Sequence, residues 1–284
     1  MGRKCYPLFA RRRQEGIRQR KASHPALVLL VYLSSGADLK TMAPEPLHFS
    51  KAPIIEAVIN IQVSPLPESA LESFKSIVGQ VQADYPHHQE LSQLEFTGEV
   101  NPQGSKASTR QRPIGIQFQS PDIRQVFQVR LNGFSFHRLA PYGEWQSFRG
   151  EASRLWSLYR AAVGPTRTET YSIRYINKIP VPLGQPIERY LKVYAVIPED
   201  LPQVMNNYVM RLELQIDGGI WVTHHAMLPP EMSGTAFVLL DNELRYYGLG
   251  LTDQEVWDRI DAARHEKNRI FLGCITEELK GKLS

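Results

Sequence analysis

The chain has 284 residues, 42% hydrophobic and 22% charged, which is enough for one large domain or two ordinary ones with an ample core. Its two cysteines, Cys5 and Cys274, make no disulfide framework and point to a reducing, cytoplasmic setting. No apolar run approaches the roughly 18 residues of a membrane span, and the formal charge of +4 is uneven: residues 1–41 hold nine Lys/Arg against Glu15 and Asp38, so the remaining chain carries −3 and lacks a bulk electrostatic drive toward nucleic acid.

Residues 1–41 admit three readings. Basic residues before the apolar run 26–33 resemble a secretory signal, but the run is short, the basic region is long and no clear small-x-small cleavage site follows. A basic arm for nucleic acid is the second reading. The third, which we favour, starts translation at Met42 and makes the leader an extension, because strand patterning begins a few residues later.

From residue 54 to 63 the sequence alternates. Ile55, Ala57, Ile59, Ile61 and Val63 share one face, and Ile54, Glu56, Val58, Asn60 and Gln62 the other, as in a strand that covers a core. After Ser64-Pro65-Leu66-Pro67, Leu71, Phe74, Ile77, Val78 and Val81 recur at helical spacing. A strand is expected over 91–100, an exposed loop over 101–111, and strands over 113–119 and 123–131. Asn132-Gly133 is the strongest hairpin signal and suits a type I′ turn. Trp145, Phe148, Ala152, Leu155, Tyr159 and Ala162 then mark one buried helical stripe.

A similar order follows. Tyr171, Ile173, Tyr175, Asn177 and Ile179 alternate with Ser172, Arg174, Ile176 and Lys178 until Pro180 and Pro182. A short helix is expected over 187–193. Strand 207–216 turns at Asp217-Gly218-Gly219 into strand 220–227, with further strands over 235–240 and 244–247, separated by Asp241-Asn242. Val256, Ile260, Ala263, Ile270 and Cys274 line the closing helix, interrupted by Lys267, which must snorkel or meet a partner. His265 falls opposite this stripe.

The expected fold is α+β: two tandem β-α-β(3-4)-α repeats with antiparallel sheets, over 46–165 and 166–284. This element order resembles the helix-grip layout of the TATA-binding protein and of START-like ligand carriers, which implies a curved sheet wrapped on a long helix and carries no functional residues. The segments FSKAPIIEAVINIQV (49–63), SIRYINKIPV (172–181) and DAARHEKNRIFLGCITEEL (261–279) resemble an uncharacterised, sporadically distributed bacterial family. The resemblance spans most of 46–280 and implies no activity.

Candidate chemistry is sparse. His224 and His225 are adjacent on a strand and point to opposite faces, so one metal cannot take both, and no metal-ligand spacing accompanies them. With Gly218-Gly219 as the turn, Ile216 faces Trp221, Leu214 faces Thr223 and Glu213 faces His224, a candidate acid/base pair for which a structural cross-strand pair is the favoured reading. Arg130, Arg174, Lys178 and Arg211 lie opposite apolar neighbours on strands and are candidates for receiving an anion on an open sheet face, with Glu56 on the same surface; a plain solvated face is the favoured reading of these four residues. His87-His88 is expected at a helix end. No phosphate loop or nucleophile elbow occurs and no cofactor is implied. The favoured reading is a non-enzymatic binding or regulatory protein for a small anionic ligand, a peptide or a partner protein, with a homodimer possible. The alternatives are a hydrolase-like enzyme using Glu213 and His224 with the arginines, or nucleic-acid binding through the leader.

Overall fold

A computed structural model describes residues 49–101, 104–229 and 235–284, and the side chains of all of these except 97–107. The expectations about residues 1–41 lie outside the described residues. The elements are β1 (Ile54–Val63), α1 (Ala70–Val81), β2 (His87–Asn101), β3 (Gly104–Gln119), β4 (Gln125–Arg130), β5 (Gly133–Leu139), α2 (Trp145–Val163), β6 (Thr168–Pro182), β7 (Val209–Ile216), β8 (Gly219–Leu228), β9 (Thr235–Tyr247), α3 (Asp253–Cys274) and α4 (Glu277–Leu283). The fold is α+β: the described residues form four α-helices and one nine-stranded antiparallel sheet in the order β2-β3-β4-β5-β1-β6-β9-β8-β7. No described helix is long and apolar enough to cross a membrane.

Strand alternation divides the sheet into two faces. One face supplies Ala57, Ile59, Ile61 and Val63 from β1, Phe134 and Phe136 from β5, and Tyr171, Ile173, Tyr175 and Ile179 from β6 to a single core that includes all four helices. The helical stripes meet it as their spacing demands: Trp145, Phe148, Ala152, Leu155 and Tyr159 of α2 are buried, as are Val256, Ile260, Ala263, Ile270 and Cys274 of α3. Each side chain of this size stabilises the fold by roughly 1.5–3 kcal/mol when fully buried. Local sequence sets the helix ends. Thr252 Oγ1 accepts the Glu255 N–H (3.3 Å), and a Glu255 carboxylate oxygen accepts the Thr252 N–H (2.8 Å), a reciprocal cap on α3. Lys267 breaks the α3 stripe by resting its amine 3.8 Å from the centre of the Tyr175 ring, and desolvation pushes its pKa down to about 7.

Five local expectations are corrected. The β4–β5 turn is Leu131-Asn132, because Arg130 pairs with Gly133; Gly133 is the first residue of β5, not the second of a turn. A Cβ on Gly133 would lie 2.2 Å from the Ile61 carbonyl oxygen, so glycine serves the close approach of β1. Residues 104–111 are strand. They pair with β2 in a ribbon running from His87↔Gln119 to Asn101↔Gly104, whereas β4 pairs only with Gly115–Gln119. The distal ribbon therefore has few neighbours to bury against, and its polar sequence reads as a loop. Only a 3₁₀ turn, Ile187–Arg189, occupies the expected helix at 187–193. Asp241-Asn242 does not separate two strands but lies inside β9, both residues buried. His87-His88 opens β2.

Candidate functional site

The second face of the sheet carries the alternate residues, and the described helices all pack on the other side. Antiparallel pairing sets its rows. Asn60 of β1 lies between Ser135 of β5 and Ser172 of β6; Val58 lies between His137 and Arg174. The ladder continues from Arg174 to Glu243 of β9 and from Asp241 to His224 of β8. The sequence-predicted residues Arg130, Arg174, Lys178, Arg211, Glu213 and His224, together with Glu56, thus share one surface.

Two polar networks occupy it. In the first, Glu56 accepts from His137 Nδ1 (2.8 Å), and His137 Nε2 lies 3.0 Å from Ser135 Oγ. The carboxylate assigns the proton to Nδ1, so Nε2 accepts the Ser135 hydroxyl. The His137 hydrogen bond outweighs burial and holds the Glu56 carboxyl below its ordinary range. Ser135 Oγ in turn accepts from Arg130 Nη1 (3.0 Å), which also reaches Gln128 Oε1 (2.6 Å), while Nη2 donates to Asn60 Oδ1 (2.8 Å). Its Nε also donates to Asn132 Oδ1 (3.4 Å), and all these partners of Arg130 are neutral. Desolvation lowers its pKa, and no carboxylate lies within ion-pair distance among the described residues.

In the second network each arginine meets a carboxylate. Arg174 grips Asp241 with two donors, Nε at 2.8 Å and Nη2 at 2.5 Å, and this bond raises the arginine pKa. His224 Nδ1 is 3.5 Å from the same carboxylate. Arg211 pairs with Glu213, and Arg245 with Glu243. Lys178 lies 3.9 Å from the centre of the Phe237 ring. Buried beneath His224, on the helix side, is His225, whose pKa desolvation lowers to about 4.

The Glu213–His224 pair does not form. Asp217-Gly218 is the turn, with Gly218 at φ +69°, so Ile216 closes on Gly219 and each pair shifts by one: Glu213 faces Val222, and Arg211 faces His224. A Cβ at Gly219 would meet the Arg245 carbonyl oxygen at 2.2 Å, which keeps this glycine in the ladder beside β9. The partners that organise the surface, Ser135, His137, Asn60 and Asp241, were not singled out by sequence. Ser135 and His137 alternate with Phe134 and Phe136, and that two-residue period was the available signal.

Glu56, His137 and Ser135 form a carboxylate–imidazole–hydroxyl line of the kind that activates a nucleophile. Here Ser135 is 2% exposed and sits in mid-ladder between Asn60 and Gln128, with its backbone groups in the sheet. Acyl transfer needs an accessible hydroxyl and free N–H donors beside it. The line instead orients Ser135 toward Arg130.

Away from this face, a cavity of about 640 Å³ opens beside Tyr85, Gln125, Arg138, Ser147, Glu151 and Arg154. Arg138 is 8% exposed, stacks near the rings of Phe136 and Phe148, and donates to Ser147 Oγ at 3.1 Å. Glu151 there accepts from Tyr85 (2.8 Å) and Arg154 (2.7 Å). Among the described residues, no group of three or more His, Cys, Asp and Glu gathers as a metal site. Comparisons with protein-family models, curated proteins and solved structures find no match to this chain.

Proposed function

We propose that the chain is a non-enzymatic binding protein that receives a carboxylate, or another anionic group of a ligand or partner protein, at Arg130 on its helix-free sheet face. One observation carries the reading: Arg174, Arg211 and Arg245 are each paired with a carboxylate, whereas Arg130 is held only by the neutral groups of Asn60, Gln128, Asn132 and Ser135 among the described residues. An incoming anion gains a preoriented, partly desolvated guanidinium without displacing a resident one. Among the described residues the paired charges elsewhere make no continuous basic groove, which disfavours nucleic acid on this part of the chain. Two tandem helix-grip-like repeats in the cytoplasm complete the proposal. Support for the repeats comes from β5 returning to β1, β9 returning to β6, and β1 and β6 meeting at the centre.

The test is calorimetric titration of the protein with citrate, succinate and a hexaglutamate peptide. Binding by at least one probe that weakens about tenfold or more in Arg130→Ala, with partial retention in Arg130→Lys, supports the reading. No binding, or equal binding by Arg130→Ala, removes it. The enzyme alternative now rests on Ser135, His137 and Glu56. Labelling by a fluorophosphonate probe that is lost in Ser135→Ala would favour it.

A further inference from the structure

The strand β7 ends the sheet, and among the described residues nothing pairs with its outer edge. No backbone hydrogen bond beyond the β7–β8 hairpin reaches Val209–Ile216 among the described residues. In an antiparallel ladder, alternate residues of an edge strand turn N–H and C=O outward, which makes such an edge a template for another strand. Natural edges are commonly blunted by proline, lysine or a bulge. The sequence VMRLELQI has no proline or lysine, and its pairing with β8 is continuous.

Among the described residues the apolar side of β7 is also uncovered. Met210, Leu212 and Leu214 fall on the helix side of the sheet but outside the core cluster, and Leu212 and Leu214 are 37% and 40% exposed. The described helices stop short of this strand.

We propose that β7 pairs antiparallel with β7 of a second copy, which joins two sheets into one across a two-fold axis at Leu212. The charge pattern selects the partner and the register. With Leu212 facing itself, Arg211 of each copy faces Glu213 of the other, and Met210 faces Leu214, so the apolar strip becomes continuous. A slip of the ladder in either direction that keeps the faces aligned sets Arg211 against Arg211 or Glu213 against Glu213. Like charges directly opposite are destabilising. The strand is therefore complementary to itself in one register, as a closed two-fold interface requires. Arg211 and Glu213 already pair within their own strand, so docking completes a four-charge ring. This proposal is independent of the Arg130 reading. An eight-residue edge is a small interface, and micromolar association is expected.

The test is sedimentation equilibrium of the full chain over 1–200 μM, read against a monomer mass of 32.4 kDa. The wild type is expected to approach twice that mass. Arg211→Glu and Glu213→Arg should each associate at least tenfold more weakly, because each sets like charges opposite. Mixed together, the two variants should form a heterodimer, since every cross-strand pair is then opposite in sign, and the double variant should recover self-association. Circular dichroism of each variant separates lost pairing from lost folding, and both substitutions sit on an exposed edge. A wild type that stays monomeric at 200 μM, or variants that dimerise as well as the wild type, would overturn the proposal.

Discussion

Replacing Arg174 by alanine tests whether the open face is a solvated surface or a wired one. Exposed ion pairs contribute about 0–1 kcal/mol, whereas stripping the partner from a buried charge costs about 3–5 kcal/mol. The pair lies between these limits: the Arg174 side chain is 42% exposed, but Asp241 is only 9% exposed. Removing the guanidinium deletes two charge-assisted bonds and strands a nearly buried carboxylate, with His224 Nδ1 at 3.5 Å as the remaining neighbour. Screening at the exposed arginine discounts the buried-pair figure, and the expected loss is about 1.5–3 kcal/mol. That exceeds the roughly 1 kcal/mol limit expected of a surface residue away from special features. Urea unfolding at pH 7 measures it, with an unchanged slope as the sign that the states compared are the same. In an Asp241→Asn background the same substitution should cost less than about 1 kcal/mol, because the stranded charge is gone. A loss under about 0.5 kcal/mol in the wild-type background, or an equal loss in both backgrounds, would refute the reasoning.

Two further outcomes follow from the core. His225 has a folded pKa lowered to about 4 from the ordinary 6.5, so the unfolded chain binds more protons between these values. Its contribution is complete above pH 6.5 and is lost as pH falls toward 4, by roughly 2–3 kcal/mol; urea midpoints across pH 4–7 should fall less steeply in His225→Leu than in wild type. Gly133→Ala should cost several kcal/mol or abolish folding, because its Cβ would enter the Ile61 carbonyl at 2.2 Å and its φ is +145°; thermal melts beside Gly143→Ala, where φ is also positive but the space is open, isolate the clash.

The alternation of Ile55, Ala57, Ile59, Ile61 and Val63, and the 3-4 spacing from Trp145 to Tyr159, located β1 and α2 and told which side of each is buried. Those properties are local: a period of two or 3.6 is written into neighbouring residues, and burial of one face follows from it. The grouping of Arg130, Arg174, Lys178 and Arg211 on one sheet face was legible for the same reason. Registers were not. Asn132-Gly133 and Gly218-Gly219 look like turns, yet Gly133 and Gly219 are required in the ladder by carbonyls of Ile61 and Arg245, far away in sequence. A one-residue shift of the β7–β8 hairpin gave Glu213 to Val222 and took it from His224.

Charge partners were hidden for a related reason. Asp241-Asn242 carries the composition of a turn, but Arg174 of β6 binds Asp241, and Trp221 Nε1 of β8 donates to Asn242 Oδ1 at 2.9 Å, so both residues stay inside β9. Sequence by itself determined which residues alternate, which helices are amphipathic and that the body is mildly acidic. The tertiary structure alone decided which strands are neighbours, and therefore that Arg174 is neutralised while Arg130 is held by neutral groups. A side chain's electrostatic role depends on contacts made across the sheet, and those contacts exist only after distant strands have paired.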